Sequence, residues 1–204
     1  MTSKLIVNSV RHTGASADGI TMAADGSVTF PGNATCSGTA TGFGLEGITM
    51  ADKWALTGNY NLSSANTYYT ITGTWARSTS AGYSGSSSIG SAMTESSGLF
   101  TFPSTGIYYI IYDCITGTSN DQLNMWSYIA VGADASSTTY LSVKASSGDS
   151  GTMNTCTGSA LLDVTDVSAQ KVFVRGYAAS TGCYLSGNGN LQRTTITFIR
   201  LGDT

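Results

Sequence analysis

The chain has 204 residues, of which 41% are hydrophobic and only 10% are charged, and its formal net charge is −3. This length allows one well-filled domain and a smaller extension. Because the balance is acidic and no Lys/Arg cluster occurs, nucleic-acid binding is not expected. No run approaches the roughly 18 apolar residues of a membrane helix, so membrane insertion is not expected either.

The composition favours an all-β fold. Tyr is the most frequent aromatic residue, with 11 copies, and 25 glycines are present. Tyr, Thr, Ile and Val suit a pleated, half-buried surface, while Gly with Asn and Asp supplies the turns. No stretch beyond a few residues keeps the 3.6-residue apolar period of a helix.

Residues 1–50 differ from the rest of the chain. They contain no Trp or Tyr, and their apolar pieces are short. Asp25-Gly26 separates the alternating runs 19–22 and 27–30, which is a strong hairpin signal. Since so little apolar surface cannot support an independent core, we expect this segment to be an anchor or stalk that needs other chains.

Residues 51–204 are predicted to form a second domain, a β-sandwich. Short apolar runs alternate with clusters of Gly, Ser, Asn and Asp, which is typical of sandwiches and barrels. The predicted strands are 54–56, 68–75, 98–102, 107–115, 123–131, 140–145, 159–164, 171–177 and 194–201.

Two of these strands are apolar on both faces. In 107–115 only Asp113 interrupts the apolar pattern, and 194–201 places Ile196 and Phe198 opposite Ile199 and Leu201. A strand covered on both faces is either central or shared with another subunit. Because no helix is predicted that could provide the cover, a closed symmetric oligomer is expected to do so.

One motif resembles a known family. Residues 97–109 read Ser-Gly-Leu-Phe-Thr-Phe-Pro-Ser-Thr-Gly-Ile-Tyr-Tyr, which is similar to the G-x-F-x-x-P-x-x-G-x-Y signature of the complement one-q globular head. That head shares its jelly roll with tumour necrosis factor. The strand–turn–strand at 161–174 and the final strand 195–201 are similar to the C-terminal part of the family. The resemblance covers about residues 53–204 and implies a jelly-roll fold.

The chain also resembles tail-fibre and appendage proteins of marine phages. The shared pieces are Trp-Ala-Leu-Thr at 54–57, the stretch from Met93 to Gly106, and Phe-Ile-Arg-Leu-Gly-Asp at 198–203. The resemblance implies a trimer held by the inner sheet, an N-terminal virion anchor and a distal binding surface. It also implies assembly into a virion in the cytoplasm of a bacterial host.

The trimer interface is predicted near Tyr109, Ile111 and Phe198. Their large side chains lie on the two strands with no polar face. The alternative is that they fill the core of a single subunit, because a shift of one residue exchanges the two faces of a strand.

Receptor binding is predicted in the loops. The longest polar segments are 78–92, 117–122, 146–155 and 180–190, and we select Tyr83, Asp121, Asn154 and Asn188 from them. Tyr with Ser, Gly and Asn is the mixture that antibody loops favour. The alternative is that these segments are solvated linkers without a ligand.

No catalytic, cofactor or metal site is predicted. Gly148-Asp149-Ser150-Gly151 spells a serine-protease string, but the only histidine, His12, lies in the N-terminal segment, and that mechanism needs a His base. Four scattered cysteines and one histidine lack the ligand spacing of a zinc site. Calcium is possible for the resembled family, but its ligands cannot be mapped here. The cysteines are expected to be free thiols, with a disulfide among the last three as the alternative.

The resulting hypothesis is a non-enzymatic virion protein, a trimeric tail fibre or fibre tip. Residues 1–50 would dock on other virion proteins, and the jelly roll would bind a glycan or protein on the host surface. The first alternative is a head fibre or capsid decoration protein. The second is a secreted lectin-like trimer.

Overall fold

The computed structural model describes residues 7–30, 48–72, 75–77, 88–120 and 123–204. The chain divides into two compact units, Met1–Leu45 and Glu46–Thr204. All regular structure in the described residues is β-strand, as predicted. No described segment forms a helix with the length and apolar character needed to cross a membrane.

The first unit contains a small antiparallel sheet of three strands. These are β1 (Ser9–Val10), β2 (Ile20–Met22) and β3 (Val28–Thr29), in the order β1-β2-β3. The turn between β2 and β3 holds Gly26 at φ 86°, and the Ser27 amide donates to Asp25 Oδ1 over 2.9 Å. The predicted Asp-Gly hairpin is therefore confirmed.

The second unit is a sandwich of two antiparallel sheets. The first sheet runs β5-β15-β10-β16-β4-β7, and β13 also pairs with β10. Its strands are β4 (Met50–Leu56), β5 (Tyr60–Leu62), β7 (Trp75–Arg77), β10 (Gly106–Thr118), β13 (Met153–Val164), β15 (Cys183–Leu185) and β16 (Thr195–Gly202).

The second sheet contains β6 (Thr67–Thr70), β8 (Thr94–Ser96), β9 (Leu99–Thr101), β11 (Leu123–Gly132), β12 (Thr139–Gly148) and β14 (Lys171–Ala178). Their order is β12-β11-β14-β9-β8, and β6 also pairs with β14.

The core between the sheets is centred on Phe100. Its ring centroid lies 5.6 Å from that of Trp54, 5.5 Å from Trp75 and 5.3 Å from Phe198. Phe100 and Phe198 are fully buried. Burying an aromatic side chain of this size contributes about 1.5–3 kcal/mol, so this cluster is a main source of the cohesion between the two sheets.

The motif at 97–109 has a physical explanation. Ser97 (φ 53°) and Gly98 (φ 81°) form the two-residue turn between β8 and β9, the left-handed pair that a tight hairpin requires. A Cβ on Gly98 would meet the carbonyl oxygen of Ile71 at 2.4 Å. Phe102 packs on Tyr108 with centroids 4.4 Å apart, and Tyr108 donates its hydroxyl hydrogen to the Ser104 carbonyl over 2.9 Å.

The predicted strand 68–75 is wrong as a single element. Its first part is β6 in the second sheet, and its last residue opens β7 in the first sheet, so the chain crosses between the sheets. The Trp75 indole N–H donates to the Ile71 carbonyl over 2.9 Å, and this hydrogen bond stabilises the connection between the two sheets. The short strands β5, β8 and β15 were not predicted, because three-residue strands carry too few alternations to be recognised.

Candidate functional site

An apolar band crosses the outward surface of the first sheet. Leu161 of β13 pairs with Tyr109 of β10, and Tyr109 pairs on its other side with Ile199 of β16. Ile199 pairs with Ala51 of β4, which is bridged to Ile89. Directly paired residues of antiparallel strands share one face, so these side chains form one row across the sheet.

The band is exposed in a single chain. Leu161 is 66% exposed, and Ile107 and Leu201, which neighbour the row along their own strands, are 38% and 57% exposed. Tyr109, Ile111 and Ile199 are half-buried. We call the set Ile107, Tyr109, Ile111, Leu161, Ile199 and Leu201 the aliphatic face. Exposed apolar patches of this kind mark interaction surfaces in soluble proteins.

Polar side chains border the aliphatic face. The pairs next to Ile111 bring Ser159 and Thr197 to this level of the sheet. One level further, the Thr157 hydroxyl donates to Asp113 Oδ1 over 2.8 Å. An apolar centre with a polar rim is the usual anatomy of a protein–protein interface.

The predicted interface residues divide between two environments. Tyr109 and Ile111 lie on the aliphatic face, where their contribution to an interface stays a prediction. The assignment of Phe198 is wrong, because its side chain is fully buried between the sheets. Its strand places Ile199 and Leu201 outward instead, and the prediction also missed Leu161, whose alternation with buried Leu162 was the available signal.

The outward surface of the second sheet carries aromatic rings. Tyr68 stacks at a tilt against Tyr177, 4.8 Å between centroids, and lies 5.8 Å from Tyr128. Tyr128 lies 4.7 Å from Tyr140, and Trp126 lies 5.4 Å from Tyr177. We call these five residues with Arg175 the tyrosine face. Ring pairs at such distances hold one another in place.

Arg175 lies at the centre of the tyrosine face. Its Nη1 donates to the Tyr140 hydroxyl over 3.1 Å, and its Nη2 donates to the Ala135 carbonyl over 3.0 Å. The guanidinium carbon stands 5.8 Å from the ring centre of Tyr68 and 5.9 Å from that of Phe173. Its Nε is buried without a hydrogen-bond partner among the described residues. Arg175 is thus an aromatic-stacked cation that does not form an ion pair within the described part of the chain.

The hydroxyl groups of the tyrosine face are arranged in a network. Tyr177 donates to Asn66 Oδ1 over 2.8 Å. Burial raises the pKa of Tyr128 above its ordinary value, and a hydrogen bond with Tyr68 acts in the same direction. Tyr128 is therefore neutral at physiological pH, and the arrangement is a rigid, hydroxyl-bearing aromatic surface.

A second arginine, Arg77, is built into the first sheet. Its Nε lies 3.1 Å from Oδ1 of Asp52, whose side chain is fully buried. Asp52 Oδ2 accepts from the Trp54 indole over 3.0 Å and from the Met93 amide over 2.9 Å. Arg77 also stacks over Trp54 at 4.8 Å. Every oxygen of this buried carboxylate is used, so the cluster is structural and offers no reactive group.

Cys114 and Cys156 face each other across β10 and β13. Their sulfur atoms are 2.7 Å apart, and both are free thiols, as is Cys183. The hydrogen bond with Cys156 lowers the pKa of Cys114, whereas the same bond and burial raise the pKa of Cys156. Cys36 lies outside the described residues.

Two of the predicted receptor residues can be located. Asn154 is not in a loop but in β13, because β12 and β13 extend further than predicted; its Nδ2 donates to the Ser147 carbonyl over 3.0 Å. Asn188 lies in the loop before β16, and its Oδ1 accepts from the amides of Asn190 and Leu191. Tyr83 and Asp121 lie outside the described residues.

The serine-protease string forms the tight turn from β12 to β13. Ser150 donates its hydroxyl hydrogen to the Ser119 carbonyl over 3.0 Å, and Gly151 takes φ 78°. His12 Nδ1 accepts from the Gly14 amide over 3.1 Å within the first unit. In the described ranges, no group of three or more His, Cys, Asp and Glu side chains could hold a metal ion.

Comparison with known proteins identifies the fold. No family model matches the chain, and no curated protein matches it either. Among solved structures, "Structure of Eiger TNF from S. frugiperda" has a TM-score of 0.55 at 17% identity, covering 77% of this chain and 95% of that one. "Crystal structure of murine APRIL at pH 5.0" has a TM-score of 0.53 at 12% identity, covering 74% and 98%. The predicted jelly roll is therefore confirmed: the sandwich has a TNF-like fold.

Proposed function

We propose that the chain is a homotrimer whose subunits pack through the aliphatic face. The observation that carries this proposal is the continuous row from Leu161 through Tyr109 to Ile199, with Leu161 66% exposed. Leaving several large apolar side chains in water forgoes about 1.5–3 kcal/mol each. Symmetric association covers the same patch on every subunit, and a trimer is what the resemblance to the complement one-q and TNF-like heads implies.

The trimer is proposed to be a phage tail fibre or fibre tip that attaches to the host surface. Residues 1–50 would dock on other virion proteins, and the sandwich would carry the receptor-binding surface. The support is the sequence resemblance over 54–57, 93–106 and 198–203. Three binding surfaces on one axis, repeated over several fibres, would turn modest affinities into firm attachment.

The function is proposed to be non-enzymatic. Residues 148–151, the one described segment that matches a catalytic sequence motif, form a hairpin turn. The buried acid Asp52 is engaged by Arg77, Trp54 and Met93. Neither is arranged as a nucleophile with its base or as a free proton donor.

Light scattering on the purified full chain tests the trimer. The expected mass is three times the 21.0 kDa of one chain, unchanged on dilution. A mass of one chain under native conditions would overturn the proposed assembly, since the aliphatic face would then be stable in water.

Immunogold labelling of purified phage particles tests the location. Label at the tail tip, with binding of the labelled chain to host cells, is the expected result. Label on the capsid would favour the head-fibre alternative. Complete absence from particles, combined with a secreted trimer, would favour the lectin-like alternative.

A further inference from the structure

The tyrosine face is rigid before any ligand arrives. Its most exposed rings, Tyr68 and Tyr140, are 48% and 44% exposed. They lie 6.2 Å apart and rest on the half-buried rings of Tyr128 and Tyr177. A surface whose side chains are already fixed loses little conformational entropy on binding. The face is thus preorganised for a ligand that takes flat contacts.

Ring chemistry selects the kind of contact. The face of an aromatic ring is electron-rich, and it attracts the electropositive C–H groups that line one side of a pyranose sugar. Tyrosine adds a hydroxyl group at the edge of each ring, which can hydrogen-bond with sugar hydroxyls. Among the described residues of this face, Val143, which pairs with Tyr128, is the one exposed aliphatic side chain. An apolar peptide segment would therefore find few aliphatic contacts here.

The central cation adds a preference for negative charge. Arg175 donates to the Tyr140 hydroxyl over 3.1 Å. A hydroxyl oxygen that accepts from a guanidinium becomes a stronger donor through its own hydrogen. The carboxylate of Asp134, in the loop that Arg175 contacts, accepts from the Ser136 and Ser137 amides instead of pairing with Arg175. The guanidinium of Arg175 therefore has no carboxylate partner among the described residues.

We propose that the tyrosine face binds an acidic glycan, with a uronic-acid ring stacked on Tyr68 and Tyr140 and its carboxylate oxygen accepting from the Tyr140 hydroxyl. This inference rests on the proposed attachment function and names its ligand class. The site belongs to the sheet opposite the aliphatic face, so a trimer presents three copies of it outward. It replaces the loops as the main receptor surface.

Titration calorimetry of the full chain with a mannuronic-acid oligomer tests the site. A mannose oligomer of the same linkage and length is the matched neutral probe. Binding of the acidic oligomer, at least about tenfold tighter than the neutral one, is expected because the charge complements Arg175. Equal binding of the two oligomers would overturn the acidic ligand class, and no binding of either would overturn the site.

Two variants locate the contact. Tyr68→Ala removes a stacking ring and is expected to weaken binding about tenfold or more. Tyr140→Phe keeps the ring but removes the polarised donor, with a loss of about tenfold expected. Leu191 lies in a loop of the other sheet and is 57% exposed in the wild-type chain. Leu191→Ala is therefore the control, and its affinity is expected to be unchanged. Unchanged affinity of both tyrosine variants, with native circular dichroism, would overturn the proposal.

Failure of the site and failure of attachment give different results. If wild-type chain binds host cells and Tyr68→Ala binds them equally, attachment stands and the tyrosine face is not its site. If the wild-type chain does not bind host cells but binds the mannuronic-acid oligomer, and Tyr68→Ala lowers that affinity, the site stands and the attachment proposal falls.

Discussion

The two outward faces of the sandwich use the same antiparallel geometry for different chemistry. On the aliphatic face, Leu161 and Ile199 flank Tyr109 in one row. On the tyrosine face, Arg175 lies over the ring of Tyr68 and pairs with Tyr128 of the neighbouring strand. Aliphatic side chains gain mainly from exclusion of water, whereas tyrosines with a cation offer directed polar contacts. The first face suits a copy of the same chain, and the second suits a polar ligand.

The two stacked arginines sharpen the comparison. Arg77 in the first sheet stacks on Trp54 and pairs with the buried Asp52. Arg175 in the second sheet stacks on Tyr68 but contacts only neutral acceptors, Tyr140 and Ala135, in the described chain. The first cation is neutralised inside the fold, and the second retains charge to offer outward.

The largest expected effect comes from placing a charge on the aliphatic face. Leu161→Asp would bury an unpaired carboxylate in each subunit interface, at a cost of about 2–5 kcal/mol per site, so light scattering should show single chains. Val143→Asp is the matched control, since Val143 is 51% exposed on the second sheet, and its mass should stay that of the trimer. Dissociation by both variants would show that the two faces do not differ in this way.

This difference between faces could be predicted from the sequence only in part. The apolar pattern on both sides of 107–115 predicted a strand covered on both faces; the sandwich core covers one face, and cover of the other face by a second subunit stays a prediction. Tyr109 and Ile111, which were assigned to the interface, lie on the outward face. Phe198 was assigned to the wrong side because 196–201 has large apolar residues on both faces. Hydrophobicity alone cannot then choose the register; the fixed point is the pairing of Phe198 with inward Ile110.

The tyrosine face was missed because its members are distant in sequence. Tyr68, Tyr128, Tyr140 and Tyr177 come from four strands, which only the pairing of β6, β11, β12 and β14 brings together. A local signal did exist, since Trp126 and Tyr128 alternate with buried residues in β11. Without the strand order, that alternation could not be joined to the other strands.

Removal of each arginine side chain's charge is the next largest effect. Arg77→Met leaves Asp52 buried without its counter-ion, which should lower the free energy of unfolding by about 3 kcal/mol. Arg175→Met loses hydrogen bonds to neutral acceptors and should cost about 1–2 kcal/mol. Urea denaturation measures both. Equal losses would contradict the view that the first cation is structural and the second is held for binding.

Alkaline pH should destabilise the fold through tyrosines in both regions. Burial raises the pKa of Tyr112 well above its ordinary value of 10.0, and burial also raises that of Tyr128. A group whose pKa is raised by folding stabilises the protein fully below the unfolded value, and this contribution is lost as pH rises beyond 10. The free energy of unfolding measured above pH 10 should therefore be lower than the value measured below pH 10.

Phenylalanine variants separate the two contributions. Tyr112→Phe should flatten the alkaline loss more than Tyr128→Phe, because Tyr112 is fully buried and Tyr128 only partly. Tyrosinate absorbance, followed during the same titration, reports whether unfolding accompanies ionisation. An alkaline loss identical in wild type and Tyr112→Phe would contradict the assignment.

The smallest expected effect is on stability at acid pH, and it concerns two exposed aspartates in turns, Asp134 and Asp166, which make the same kind of hydrogen bond. A hydrogen bond from the Ser136 hydroxyl lowers the pKa of Asp134, and one from the Ser168 hydroxyl lowers that of Asp166. A depressed pKa contributes stability above the unfolded value of 3.8 that is lost as pH falls through the folded value. Asp134→Ala and Asp166→Ala should each show a slightly shallower acid loss in urea denaturation.

The same pair differs in its expected effect on binding. Asp134 organises the loop whose Ala135 carbonyl accepts from Arg175, so Asp134→Ala should loosen the guanidinium and weaken binding of the mannuronic-acid oligomer. Asp166 orders the turn from β13 to β14 and touches no member of the tyrosine face in the described chain, so Asp166→Ala should bind normally. Equal weakening in both variants would mean that global stability, and not the position of Arg175, governs affinity. Weakening in Asp134→Ala alone would show that the position of Arg175, which forms no ion pair within the described residues, governs affinity.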